Sequence, residues 1–532
     1  MMLRPILSRQ EGTSRPADLA LMAICVLILL LPAILNGRPF MFADFNQYFS
    51  IGKGLIDNLA GLIGAGDPPP AISPAETAPA PAGEEAESGY FLAIAAGRSP
   101  LYSLAAYGLT AFASVWLLPV LQAALTVWLV FRFVRCVGGT RSHGFYLGAF
   151  AILSFLSPLG LHVNFLMPDI FGGLLVLAAA LLIFDKSQSL PENLLLAALV
   201  SAAAFLHTAN LMLAGAAFVI AVILWRLPPA RGLVNARAPL YLAAAALLAA
   251  GTMTGYRAAI TIATGTAPGS PNFLAARVYA DGPGRLHLEE ACAADPARYA
   301  HCVFAGHDYA HHNELIWGGL PGPEKPTFID SPPELKRALQ AEEREFVINA
   351  IAARPLMQTT ASLGNFGEAL FSVGIAEVDE GAVHVIQNFL GADPQALAHI
   401  PGMERCLDEP SACREGNMFK TIWRHLVGIA SLMAMAGFAG ILAAWYVAHP
   451  DRRHALQLPS DRRWMIGMFL ILMVLANAAI CGMLSGVHDR YQARLVWVLP
   501  LMLLAVLPQL KLALRDGPSG LAKESPEFET PA

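Results

Sequence analysis

Charge is what this chain has least of. Only 14% of its 532 residues are Asp, Glu, Lys or Arg, against about 25% in an ordinary soluble domain. A soluble protein of this length needs a charged surface, and these residues cannot supply one. The same scarcity excludes a disordered chain and a coiled coil. A net charge of −5 leaves no basic footprint for nucleic acid. Chemical signatures are scarce too. The sequence holds no Walker A loop, no G-x-S-x-G elbow, no HExxH order and no Rossmann fingerprint. ATP-driven transport and serine hydrolysis therefore have no support.

What is present is apolar sequence, 55% of the chain, gathered in long blocks. A span needs about 20 mostly apolar residues, and the blocks supply about ten. They run over residues 19–35, 115–134, 144–160, 165–184, 193–206, 209–225, 239–257, 422–447, 464–485 and 491–510. The fold class expected is all-α and polytopic. Residues 19–35 follow Arg4, Arg9 and Arg15 as a signal peptide would, but Asn36-Gly37-Arg38 offers no small-x-small cleavage site, so an uncleaved anchor is expected. Residues 193–225 would make one helix of roughly 50 Å, too long for a hydrocarbon core of about 30 Å. They are read as two spans broken at His207, and 144–184 is divided likewise at Pro158–Pro168.

Orientation follows from Lys and Arg. With the N-terminus cytoplasmic, Arg132, Arg135, Arg141, Lys186, Arg226, Arg231, Arg237, Arg452, Arg453, Arg462, Arg463, Lys511 and Arg515 all fall inside. The turns at 158–168 and 207–210 carry no Lys or Arg and fall outside. Both termini are expected in the cytoplasm. The division is then a cytoplasmic stretch 1–18, a membrane module 19–262, an extracytoplasmic loop domain 263–421, a second membrane module 422–510 and a cytoplasmic tail 511–532.

The first outer loop, 37–114, contains a Pro-, Ala- and Glu-rich stretch at 66–88 that reads as a flexible insert. The second outer loop is partly helical, with an amphipathic pattern over Glu334–Ala352 and another over Pro355–Leu370. It holds Cys292, Cys302, Cys406 and Cys413, which suits an oxidising compartment. Three pairings are open. Local closure, Cys292–Cys302 and Cys406–Cys413, is the expected one, and four unpaired thiols are the other reading.

The unusual polar residues collect on the outer side: Asp44 and Tyr48, Arg98, His162 and Asp169, His207 and Asn210, Arg257, and then His488, Asp489, Arg490 and Arg494. Ionisable groups at membrane depth are costly and mark sites. Plainer readings exist. Pro168-Asp169 and Ser99-Pro100 also fit helix starts, and Asp489 with Gln492 has capping-box spacing. Arg257 and Arg494 also fit snorkelling to the interface. His207 also fits a turn. His307 and His311, at i,i+4, have ligand spacing but no second carboxylate, and read better as solvated loop. Asp44 has no capping role.

The order of these motifs resembles a known family. A span, an outer loop opening with Asp44 and Tyr48, then Arg98-Ser99-Pro100-Leu101-Tyr102, then a span beginning Pro168-Asp169 is similar to the C-superfamily membrane glycosyltransferases, the GT-C fold. That family includes protein mannosyltransferases and lipid A aminoarabinose transferases. The resemblance covers roughly residues 15–260. The chain also looks like a group of bacterial membrane proteins that pair Met-Pro-Asp with a late Asp-Arg-Tyr-Gln-Ala-Arg, here Asp489–Arg494. Phe45 follows Asp44 where many members of the family carry Glu.

The resemblance implies transfer of a sugar from a polyprenyl-phosphate donor to a glycan, lipid or protein acceptor at the outer face of a bacterial inner membrane. Asp44 matches the catalytic carboxylate, with Tyr48, Asp169, His207, His488 and Asp489 in support. Arg490, Arg494, Arg257 and Arg98 are the candidates to hold the lipid phosphate. No metal site is expected; no cofactor is certain, and a divalent cation is compatible with such a site. Two other readings stand beside it: a transporter or flippase of lipid-linked intermediates, and a non-catalytic membrane subunit whose outer loop binds a partner.

Overall fold

The computed structural model describes residues 15–42, 44–62, 98–139, 141–264, 271–309, 311–318, 325–376, 418–448 and 462–516. The insert at 66–88, Cys406, Cys413 and the end of the tail lie outside the described residues. Those described are overwhelmingly helical, with no strand among them.

The chain begins with α1 (Arg15–Asn36) and two short helices, α2 (Phe45–Leu62) and α3 (Pro100–Phe112), which pack on each other. A bundle follows: α4 (Leu117–Gly138), α5 (His143–Leu156), α6 (Leu159–Asn164), α7 (Ile170–Phe184), α8 (Leu190–Leu206), α9 (Thr208–Arg226) and α10 (Ala238–Thr264). Next come α11 (Phe273–Ala280), α12 (Pro283–Ala294), α13 (His312–Trp317), α14 (Pro333–Ala353) and α15 (Pro355–Phe371). The chain closes with α16 (Met418–Ala448), α17 (Arg462–Leu484), α18 (Asp489–Val496) and α19 (Val498–Asp516).

Seven stretches among the described residues are long and apolar enough to cross a membrane: Pro16–Asn36, Leu117–Gly138, Thr208–Arg226, Ala238–Ile262, Lys420–Ile441, Arg462–Leu484 and Asp489–Leu507. Three shorter apolar helices, α5, α7 and α8, occupy the remaining stretches expected to span. At about 1.5 Å per residue they are shorter than the hydrocarbon core. The breaks expected at Pro158–Pro168 and at His207 are both present. One break was not anticipated. The helix after His488 stops at Trp497 and restarts at Val498. Pro500 explains it, because its ring nitrogen cannot donate to the carbonyl of Val496.

The centre of the bundle is α7. It is apolar on every side, and all its residues but Phe171 are buried, as an all-apolar helix requires. It touches α4, α8, α9, α17 and α18. Gly173 lets α18 approach so closely, since a Cβ there would meet the Trp497 indole at 2.6 Å.

Helices α11 to α14 form a separate small core of Leu288, Phe304, Ile316, Phe328, Leu339 and Phe346. The expected Cys292–Cys302 disulfide closes it, at a separation of 10 residues. Helix α15 then runs from this core back onto α17.

Candidate functional site

The site is built where α1 ends and α7 begins. After α1 the chain is tied to the α6–α7 turn: Phe40 N–H donates to Asn164 O at 2.9 Å and Leu166 N–H to Phe40 O at 2.9 Å. Asn164 is itself anchored, its amide donating to Leu29 O at 2.6 Å and Gly160 O at 2.7 Å. Burial of Phe45, Tyr48 and Phe49 then fixes the start of α2. Asp44 and Asp169 are thereby held at the same end of the bundle.

Asp44 is ion-paired twice. Its Oδ1 lies 2.8 Å from Arg98 Nη2 and its Oδ2 3.6 Å from Arg490 Nη2. Arg98 is steered by Gln47, whose Oε1 accepts from its Nε at 3.0 Å, and lies 5.6 Å from the Tyr48 ring centroid. Arg490 stacks on Phe42 at 4.0 Å. Burial alone would raise the Asp44 carboxyl, but Arg98 and Arg490 outweigh it and hold it below the ordinary carboxylate range. An acid so held is a poor proton acceptor. Of the two roles the resemblance implies for Asp44, general base or orienting the acceptor hydroxyl, this pairing favours the second.

Asp169 is its opposite. It is 5% exposed, yet its carboxylate makes no ion pair and accepts no hydrogen bond among the described residues. It stands at the start of α7 without capping it, so the helix-start reading does not account for the side chain. Its charge reaches Tyr48, Tyr102, His162 and His207.

Across from it, Arg494 is wholly buried and also forms no ion pair among the described residues. Its Nη2 donates to Asn477 Oδ1 at 3.0 Å and to Cys481 Sγ at 3.5 Å, while its Nε has no partner there. The Asn477 amide in turn donates to Tyr491 O and Gln492 Oε1, each at 2.7 Å. Gln492 donates to Val474 O at 3.2 Å. This polar ladder pins α18 to α17 and aims the guanidinium. Arg494 does not snorkel. A buried, unpaired guanidinium is expensive and is suited to an anion.

The imidazoles around these groups are neutral. His207 begins α9, its Nδ1 accepting from Ala209 N–H at 3.2 Å, which leaves the proton on Nε2. Burial and then Arg494 push it down to about 3. His162 is buried with both ring nitrogens unbonded among the described residues, and burial pushes it down to about 4. His488 bonds Asn313 at 3.0 Å and lies 6.0 Å from His312, so α13 of the loop domain rests on the start of α18.

Asp44, Tyr48, Arg98, Asp169, His207, His488, Arg490 and Arg494 thus gather at one end. Two candidates do not join them. Arg257 is exposed on α10. Asp489 faces away, onto the segment after α15, where it accepts from the Ala376 backbone. That bond and Gln492's role with Asn477 replace the expected capping box. His311 does not pair with His307 as a ligand set; its Nδ1 caps α13 by accepting from Glu314 N–H at 3.3 Å. No group of three His, Cys, Asp or Glu among the described residues is arranged to hold a metal ion.

Sequence reasoning missed the roles of Gln47, Gln492 and Asn313. The sequence signal for Arg494's partner is Asn477 itself, a polar residue inside the apolar block 464–485. No family model, curated protein or solved structure matches the chain.

Proposed function

We propose that this chain is an integral membrane glycosyltransferase, crossing the bilayer ten times, that moves a sugar from a polyprenyl-phosphate donor to an acceptor at the extracytoplasmic face. The observation that carries the reading is a pairing of opposites at one end of the bundle. One carboxylate, Asp44, is held by two guanidiniums. A second, Asp169, is buried with no ion pair or side-chain hydrogen bond among the described residues, near a guanidinium, Arg494, that has neutral partners but no carboxylate among them.

That geometry supports the following roles. Arg494 and Arg490 bind the donor phosphate, for which a fork of charged donors is suited. Asp44 and Arg98 hold Arg490 in place. Asp169 accepts the proton of the acceptor hydroxyl as its oxygen bonds the sugar's anomeric carbon. The bond from that carbon to the phosphate oxygen breaks, and polyprenyl phosphate leaves. Neutral His207 donates its Nε2–H to the substrate. A transporter would need polar groups along a path through the bilayer, and here the candidate substrate-binding residues gather at one end of the bundle.

The test is a reconstitution. The protein in liposomes, given a radiolabelled polyprenyl-phosphate sugar pool and acceptor membranes, should move label from the lipid fraction to the acceptor. Asp169→Asn should slow transfer by about 10²–10⁴-fold, the scale of a lost general base, with folding unchanged. Full transfer by that variant would remove Asp169 from the mechanism. Label that crosses the bilayer without transfer would support the transporter instead.

A further inference from the structure

Helix α15 is built inside out. Its buried face is largely polar: Gln358 is 7% exposed and Ser362 9%, with the half-buried Asn365 one turn on, and Ala369 at 4% is its apolar member. Its outward face is apolar: Leu356 is 82% exposed, Leu363 59% and Phe371 63%. In water the pattern runs the other way.

The polar face has a specific partner. Asp281, at the end of α11, is almost fully buried and gathers three side chains. Arg277 Nε donates to its Oδ1 at 2.9 Å, Gln358 Nε2 to its Oδ2 at 2.7 Å and Asn365 Nδ2 to its Oδ1 at 2.8 Å. The rotation of α15 about its axis is therefore fixed, and the apolar stripe is turned outward by bonds made on the other side. Leu356, Thr360, Leu363, Gly367 and Phe371 follow i, i+4, i+7, i+11, i+15, one continuous stripe without a charge. Glu368, the helix's only charged residue, lies roughly 120° round from Leu356.

The neighbour of α15 decides what covers that stripe. Helix α15 packs on α17 near the end of a membrane-length apolar helix. A Cβ on Gly482 would meet Asn365 O at 2.6 Å and the Ala369 side chain at 2.8 Å. On α17 itself, Met468, Leu472 and Leu484 are outward-facing.

We propose that α15 is an interfacial helix whose Leu356–Leu363–Phe371 stripe lies among the acyl chains of the bilayer, so that the loop domain is seated on the membrane through Asp281. Helices that lie in this plane bury their apolar face about 5–10 Å into the headgroup and acyl boundary. The placement holds whichever reaction the site performs.

The experiment uses the full chain in phosphatidylcholine liposomes, with Cys406 and Cys413 replaced by Ser. Leu356→Cys, Leu363→Cys and Phe371→Cys are each labelled with an environment-sensitive fluorophore, and Glu334→Cys, on exposed α14, serves as the aqueous reference. The three stripe positions should show blue-shifted emission, loss of intensity with a nitroxide on the lipid acyl chain and protection from aqueous iodide. The reference should show the reverse. Quenching of the stripe by iodide would overturn the proposal. So would protection from both quenchers, which would mean that protein covers the stripe.

Discussion

Two side chains at the site carry most of its energetic risk. Asp44 compensates Arg98 and Arg490 together. Asp44→Asn removes the charge and keeps the shape, leaving two guanidiniums at a half-buried position, and should cost about 3 kcal/mol at pH 7. The folded pKa of Asp44 is depressed, so its contribution is complete above the unfolded carboxylate value, about 3.9, and is lost as pH falls through the folded one. Thermal melting of wild type and variant should differ at pH 7 and converge in strong acid. A constant difference down to strong acid would mean the ion pairs are not what stabilises. Asn477 is the second. Asn477→Leu takes the one oxygen acceptor that buried Arg494 has among the described residues, leaving a charged group short of a partner at about 1–3 kcal/mol or more. The variant should melt earlier and bind phosphorylated lipid less; unchanged melting would show that the ladder is not structural. The sequence made these residues visible as polar types in an apolar setting. It could not show that Asp44 is paired and Asp169 is not. That difference depends on Arg98 and Arg490, 54 and 446 positions away from Asp44.

Among the helices, legibility followed local chemistry. The breaks at Pro158–Pro168 and His207 were readable because an unbroken helix would outrun the bilayer. The break at Trp497 was not, because Pro500 acts one turn ahead of itself, inside an otherwise apolar run. The outward apolar face of α15 was readable as amphipathicity but not as orientation, since periodicity does not say which face meets protein. Nor could it say that α7 is the helix at the centre. Helix contact there rests on an absence of side chain: Gly173 faces the Trp497 indole, and Trp497 Nε1 donates to Arg494 O at 2.8 Å. Gly173→Val must push α18 outward, and with it Arg494. The cost of such overpacking is typically about 1–3 kcal/mol. The informative readout is loss of phosphorylated-lipid binding alongside the fall in melting temperature, whereas Gly148→Val, on α5 with open space around it, should leave binding intact. Equal binding by the two variants would contradict the assigned position of Arg494.

At the scale of the whole bundle, two clusters of described ionisable groups lie at its opposite ends. At one, Arg132 reaches Glu192 at 2.7 Å and Asp185 at 3.5 Å, a self-satisfied network that needs no ligand. At the other, four neutral histidines surround or overlie the site, and burial holds His162 and His488 at about 4 and His207 and His312 at about 3. In the unfolded chain each would take a proton near 6.5. Between that value and the folded one the unfolded state binds more protons, so stability rises with pH and falls on acidification. Each histidine contributes up to about 1.4 kcal/mol per pH unit in that window. Melting temperature should therefore drop steadily from pH 6.5 to 4.5, before Asp44 begins to titrate. His312 and His488 also join the loop domain to α18, with Arg490, His311 and Asp44 acting on His488. Replacing both with Gln should reduce the pH slope by about half, His162 and His207 supplying the rest, while leaving the melting temperature at pH 7.5 nearly unchanged. A profile in wild type that stays level from pH 6.5 to 4.5 would show that these imidazoles are solvated, and that the loop domain does not rest on the start of α18.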